Sequence, residues 1–253
     1  MKIHQVKTRL VNSYVVEYPD RLFVMDVAGR CDLHVLGFVE KGLKRDIKDI
    51  ELVICSHDDF DHIGGVATLA KLCDAAIGMP LASGSVMDKI VNDPSGSVFR
   101  IATAFREAFR FRAWNMYMNP LRILKAGKQP TVSKKSQHKA SKQDMFATGV
   151  KPDYRLVGSD TLPGFDDWLV VHTPGHSWDS CCFYHADSKS LLSGDTLLGS
   201  GKMGRLVTPA IYSNPFQMQG TLHKLRSMAI QSVYPGHGSV IEGDQLIENV
   251  RFI

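Results

Sequence analysis

Short apolar runs broken by turn residues fill the first third of the chain and alternate with stretches of helical period. Val11 to Tyr18 and Leu22 to Val27 are rich in β-branched and aromatic residues and flank Pro19-Asp20, which predicts a hairpin. Leu33 to Lys41 reads as a helix and Glu51 to Ser56 as a short apolar strand. Val66 to Cys73, with apolar positions at helical spacing, reads as a second helix. From Asp153 the strand pattern returns at Trp168 to His172, Cys181 to His185, Ser190 to Leu192 and Gln231 to Tyr234. Between these halves, Ser83 to Val150 has helix-like runs around Val98 to Met118, then a Lys/Ser/Gln-rich stretch from Lys125 to Gln143. Residues 83–150 are therefore expected to be a largely helical, basic insertion over the site within one domain spanning 1–253. No period of solenoid length recurs, and strands mixed with helices in both halves suit an α/β sandwich.

Composition narrows the setting. A chain of 253 residues with 44% apolar content can bury a sizeable core. Its five cysteines are odd in number and include the adjacent pair Cys181-Cys182, a poor disulfide framework, so buried thiols in a reducing cytoplasm are expected. The first ten residues lack a signal-peptide core, and no stretch approaches the ~20 apolar residues of a membrane span. A cytoplasmic protein without an integral membrane segment is the expectation. Charge is uneven: from Arg100 to Lys142, eleven Lys/Arg face only Glu107, a net +10, whereas the whole chain is +4 and the remainder therefore −6. That asymmetry bears on what approaches the insertion, not on the fold.

The chemistry concentrates in Ser56-His57-Asp58-Asp59-Phe60-Asp61-His62-Ile63-Gly64-Gly65, directly after an apolar run. Imidazoles and carboxylates are ligands for zinc, iron and manganese, and a tight loop lets several converge. Four more segments place a polar residue after an apolar strand: Asp26 after Leu22 to Met25, His176 in Thr-Pro-Gly-His-Ser, Asp195 in Ser-Gly-Asp-Thr and His237 in Pro-Gly-His-Gly. The glycine or proline beside the last three permits a sharp turn that aims the side chain.

With these five motifs in this order, the chain resembles the metallo-β-lactamase superfamily over nearly everything outside residues 83–150, closest in texture to its glyoxalase II and lactonase branches. The resemblance implies a four-layer αββα sandwich carrying two divalent metal ions, with zinc expected. His57, Asp59 and His176 would hold the first ion, Asp61, His62 and His237 the second, and Asp195 would bridge them. A metal-bound hydroxide would be the nucleophile against an ester, thioester, lactone or phosphodiester, with Asp61 also orienting it. Asp26 would stand behind the ligands and position one of them.

Asp59 departs from the family's pattern, which has histidine there in most hydrolases. Flavodiiron proteins of the same superfamily use a carboxylate, so iron or manganese competes for the first site. The alternative reading is accordingly a non-haem di-iron oxidoreductase, although little chain follows His237 to form a flavodoxin domain; a third is a degenerate binding module. A small-molecule substrate is favoured over nucleic acid, because superfamily nucleases generally keep histidine where Asp59 stands. His172 reads as an ordinary strand-end histidine. The run Phe99 to Tyr117 admits three readings: an amphipathic helix with its aromatic face packed inward, a lid whose arginines attract an anionic substrate, or a contact with a membrane surface or an acidic partner.

Overall fold

The computed structural model of the chain describes residues 1–8, 11–109 and 150–250. These fall into two units, one made of residues 1–79 and 150–155, the other of residues 80–109 and 156–250.

The first unit is built on a sheet whose strands β1 (Lys2–Lys7), β2 (Asn12–Glu17), β3 (Leu22–Met25), β4 (Ile50–Ile54) and β5 (Ala76–Pro80) lie in chain order, with β6 (Tyr154–Leu156) at the far edge. The β1-β2-β3 meander is antiparallel and β3-β4-β5 is parallel. The expected hairpin about Pro19-Asp20 is β2-β3, in register from Tyr14 opposite Met25 to Glu17 opposite Leu22. Helices α1 (Asp32–Gly37), continued by a wider helical turn at Phe38–Leu43, and α3 (Val66–Cys73) cover one face; the short α2 (Phe60–Ile63) precedes α3. Val66, Leu69, Ala70 and Cys73 recur at helical spacing and enter one core with Val35, Val24 and Val53. Burying a side chain such as Leu69 contributes about 2 kcal/mol.

The second unit carries β7 (Thr161–Leu162), β8 (Phe165–His172), β9 (Cys181–His185), β10 (Ser190–Gly194), β13 (Ser232–Pro235) and β14 (Ile241–Glu242) in the order β14-β13-β10-β9-β8-β7. Only β10-β13 is parallel. A separate two-stranded ladder pairs β11 (Leu198–Ser200) with β12 (Arg205–Val207). Helix α6 (Pro215–Arg226), absent from the sequence-based expectations, packs Leu222 and Leu225 against Leu191 and Val233. Its start is well marked: Asn214 Oδ1 accepts from the Phe216 and Gln217 amides, and Pro215 occupies the first turn.

The described part of residues 83–150 carries two helices, α4 (Val86–Asn92) and α5 (Gly96–Ala108). Among the described residues, the inward-packed aromatic face expected for this run is not found. Helix α5 buries Gly96, Thr103 and Glu107 and leaves Phe105 and Phe109 exposed. Trp114, Tyr117, Arg110 and Arg112 lie outside the described residues.

Candidate metal centre

Four of the expected ligands lie in the first unit, on the loop between β4 and α3. The α2 turn is closed by the His62 and Ile63 amides donating to Asp59 O at 2.8 and 2.9 Å, which sets Asp59 and His62 one helical turn apart. The Gly64-Gly65 pair lets this turn lie against the chain that follows β3. The Gly65 amide donates to Val27 O at 2.7 Å, and a Cβ at Gly65 would stand 2.6 Å from Ala28 O. His57 and His62 are fully buried with ring centroids 4.1 Å apart, whereas the Asp59 and Asp61 side chains are about a quarter and a third exposed. The Asp59 carboxylate, despite its short reach, comes within 3.3 Å of His57 Nε2, and Asp61 Oδ2 lies 3.8 Å from His62 Nε2.

Asp26 organises this cluster from behind. It is fully buried, has φ of 57°, a conformation Asp tolerates better than most residues, and accepts three hydrogen bonds. Ser56 N donates to its Oδ1 at 2.7 Å, while Ser56 Oγ at 2.9 Å and His62 Nδ1 at 2.8 Å donate to its Oδ2. The Ser56 hydroxyl proton is thus committed to Asp26, so Ser56 Oγ accepts from His57 Nδ1 at 2.9 Å. Both histidines then carry their proton on Nδ1 and turn the Nε2 lone pair toward Asp59 and Asp61. Ser56 is a candidate positioning residue that sequence reasoning passed over, although its place between an apolar strand and the first histidine marked it.

The second unit contributes His176, Asp195 and His237 from the ends of β8, β10 and β13. Asp195 Oδ2 lies 3.7 Å from His176 Nε2 and 3.4 Å from His237 Nε2. His176 Nδ1 donates to the Ile211 carbonyl at 2.8 Å, which again fixes the tautomer with Nε2 as the electron-pair donor. The loops are tied together by a Thr173 Oγ1 to Thr196 Oγ1 hydrogen bond of 2.9 Å. His237 is held through its main chain: Gly199 N donates to His237 O at 3.0 Å and Ser239 N to Gly199 O at 3.1 Å. That ladder needs glycine, because Gly238 has φ of 94° and a Cβ there would fall 1.9 Å from Gly199 O.

The four Nε2 to carboxylate distances, 3.3, 3.8, 3.7 and 3.4 Å, lie beyond ordinary hydrogen bonds. They bracket the ~3.4 Å edge of a tetrahedron built on metal–ligand bonds of ~2.1 Å. In donor chemistry and spacing, each cluster fits its share of a divalent-metal site. Residues outside the clusters behave as ordinary structure. His172 Nε2 donates to Trp178 O at 2.7 Å, and burial pushes its pKa down. Cys181 and Cys182 are buried in β9, where burial pushes the Cys181 thiol up.

The family model for the metallo-β-lactamase superfamily matches residues 6–237. An atrochrysone carboxyl ACP thioesterase of Aspergillus fumigatus is 37% identical over 76 residues, 30% of this chain and 22% of the thioesterase. A β-lactamase-like protein 2 homolog of Drosophila melanogaster is 37% identical over 73 residues, 29% of this chain and 22% of the fly protein. The matched stretch thus spans about a fifth of these curated relatives. Among solved structures, a metallo-β-lactamase family protein from Thermus thermophilus superposes with a TM-score of 0.61 at 19% identity, covering 97% of this chain and 77% of that one. A protein crystallised in a di-iron-bound form superposes with a TM-score of 0.55 at 20% identity, over 96% and 94% of the two chains. The fold is the metallo-β-lactamase fold, and with its family model matched along most of its length, the chain belongs to the metallo-β-lactamase superfamily.

Proposed function

We propose that this protein is a metal-dependent hydrolase that uses activated water against an ester, thioester or lactone, with a phosphodiester the less favoured substrate. The observation that carries the reading is the setting of Asp195, whose Oδ2 stands at ligand-to-ligand distance from both His176 Nε2 and His237 Nε2. A carboxylate so placed suits a bridge between two ions. His57, Asp59 and His176 would hold one and Asp61, His62 and His237 the other. Zinc is the expected ion, with iron or manganese competing at the Asp59 position, where a carboxylate replaces an imidazole. When bound, the ions supply Lewis acidity to polarise a carbonyl and bring the pKa of a coordinated water toward ~7.

The chain's own groups then orient the reactants. Asp61, a third exposed and 3.8 Å from His62 Nε2, would accept a hydrogen bond from the attacking water and so aim its lone pair at the carbonyl. Asp26 and Ser56 hold His57 and His62 in the tautomer that keeps Nε2 unprotonated. Thioesters are the first class to test, because the Aspergillus relative is named as an ACP thioesterase.

The experiment is metal quantification of the purified protein, followed by turnover of an ester, thioester, lactone and phosphodiester panel, with Asp195→Ala alongside. Loss of both metal and turnover in Asp195→Ala is expected; full turnover by a metal-free variant overturns the reading. Asp59 favours the second reading, a redox-active iron centre. Zinc as the only metal, with no optical or paramagnetic-resonance signal, excludes it.

A further inference from the structure

Helix α5 is inside out. Its side toward the second unit is polar: Thr103 and Glu107 are buried, Thr103 Oγ1 donates to Tyr212 O at 3.2 Å, and Arg106 Nη2 donates to Ala210 O at 2.8 Å. Its opposite side is apolar and faces out. Val98, Ile101, Phe105 and Phe109 form one stripe at helical spacing and are 70, 71, 66 and 74% exposed. The adjoining α4 buries no residue and exposes Val86, Met87 and Val91 by 68, 68 and 69%. Scattered exposed apolar residues need no explanation, but this concentration within residues 86–109 does. An amphipathic helix that turns its polar side to its own unit presents its apolar side to something else.

The sequence says what kind of surface that is. From Arg110 to Gln143, directly after the stripe, the chain carries nine Lys/Arg and no Asp or Glu. Protruding aliphatic and aromatic side chains followed by a purely cationic run are the combination attracted to an anionic bilayer surface, where apolar insertion and charge attraction add. We infer that the outward faces of α4 and α5 dock on anionic membrane surfaces. The contact is peripheral, since no helix among the described residues is long and apolar enough to cross a membrane. The inference is independent of the metal chemistry.

Cosedimentation of the full chain with lipid vesicles tests it, comparing phosphatidylcholine alone with phosphatidylcholine containing phosphatidylserine. Binding to the anionic vesicles that weakens with added salt is expected, and the double variant Ile101→Asp/Phe105→Asp should bind about tenfold or more weakly. Both positions are exposed, so unchanged circular dichroism is expected to confirm that the variant folds. Absence of wild-type binding to anionic vesicles, or equal binding by the double variant, overturns the inference. So does wild-type dimerisation in sedimentation equilibrium that the same variant abolishes, because the stripe would then be a self-interface.

Discussion

His176 and Ile211 are joined by a hydrogen bond of 2.8 Å from the imidazole Nδ1 to the main-chain carbonyl, and the residues on either side of Ile211 are held by helix α5. Arg106 donates to Ala210 O at 2.8 Å and Thr103 shares two hydrogen bonds of 3.2 Å with the main chain of Tyr212. Helix α5 thereby sets the orientation of a candidate metal ligand from one step behind it.

Arg106→Met should therefore loosen the 210–212 segment and with it the His176 ring. Because Arg106 acts one step behind the direct partner, metal affinity is expected to fall by about tenfold, the low end of the effect of altering a ligand's outer partner. Chelator competition measures the affinity, and the visible spectrum of the cobalt-substituted protein reports ligand geometry. An unaltered cobalt spectrum and affinity would show that α5 does not orient His176.

Asp26→Asn should separate the charge of this residue from its shape. Asn also tolerates the positive φ, so the backbone at position 26 is retained. The amide cannot accept all three hydrogen bonds that Asp26 receives from Ser56 and His62. His62 loses the partner that fixes its tautomer, and metal affinity should fall about 10–100-fold, with a stability loss of about 1–3 kcal/mol from the imperfectly paired buried group. Isothermal titration with zinc and urea unfolding of the metal-free protein measure the two effects separately.

What the sequence revealed and what it hid follow from how each feature is encoded. The His57 to His62 loop was legible because four candidate ligands fall within six positions after an apolar run, and β9 was placed at its observed bounds because Cys181 to His185 is a compact apolar stretch. His176, Asp195 and His237 were legible through glycine-flanked motifs. Ile211 was not, because it acts through a carbonyl that every residue possesses. Helix α6 was missed although Asn214-Pro215 is a start signal; its short apolar face, Met218, Leu222 and Leu225, is interrupted by polar residues. The direction of the α5 stripe was hidden for a different reason: periodicity says which residues share a face, not which way the face points.

A buried ion pair fixes the loop after His176. Asp179 is 1% exposed, accepts from Ser83 Oγ at 2.6 Å and pairs with Lys89 Nζ at 2.9 Å. Lys89→Met removes the positive partner while the carboxylate stays buried, which should cost about 1–3 kcal/mol. Because the Lys89 side chain is 24% exposed, solvent relieves part of the penalty, and the loss should sit in the lower half of that range. Adding Asp179→Asn to Lys89→Met should recover part of the loss in urea unfolding; a further additive loss would mean that the pair is not coupled.

His172 should make stability depend on pH. Its pKa is lowered from 6.5, chiefly because burial disfavours the charged ring and secondarily by the Lys224 charge; the Trp178 carbonyl bond and Asp179 work the other way without reversing the shift. The folded protein therefore holds this ring neutral at a pH where the unfolded chain has begun to protonate it. The unfolded state binds more protons there, so stability rises with pH. The contribution is present in full above 6.5 and is lost as pH falls from 6.5 through the lowered folded value. Urea unfolding of metal-free wild type and His172→Gln across this window isolates the effect, since every other group is common to both proteins and cancels in the difference. The stability of wild type relative to His172→Gln should fall as the solution is acidified below 6.5. A flat difference, or one of opposite slope, would mean that burial does not hold this ring neutral.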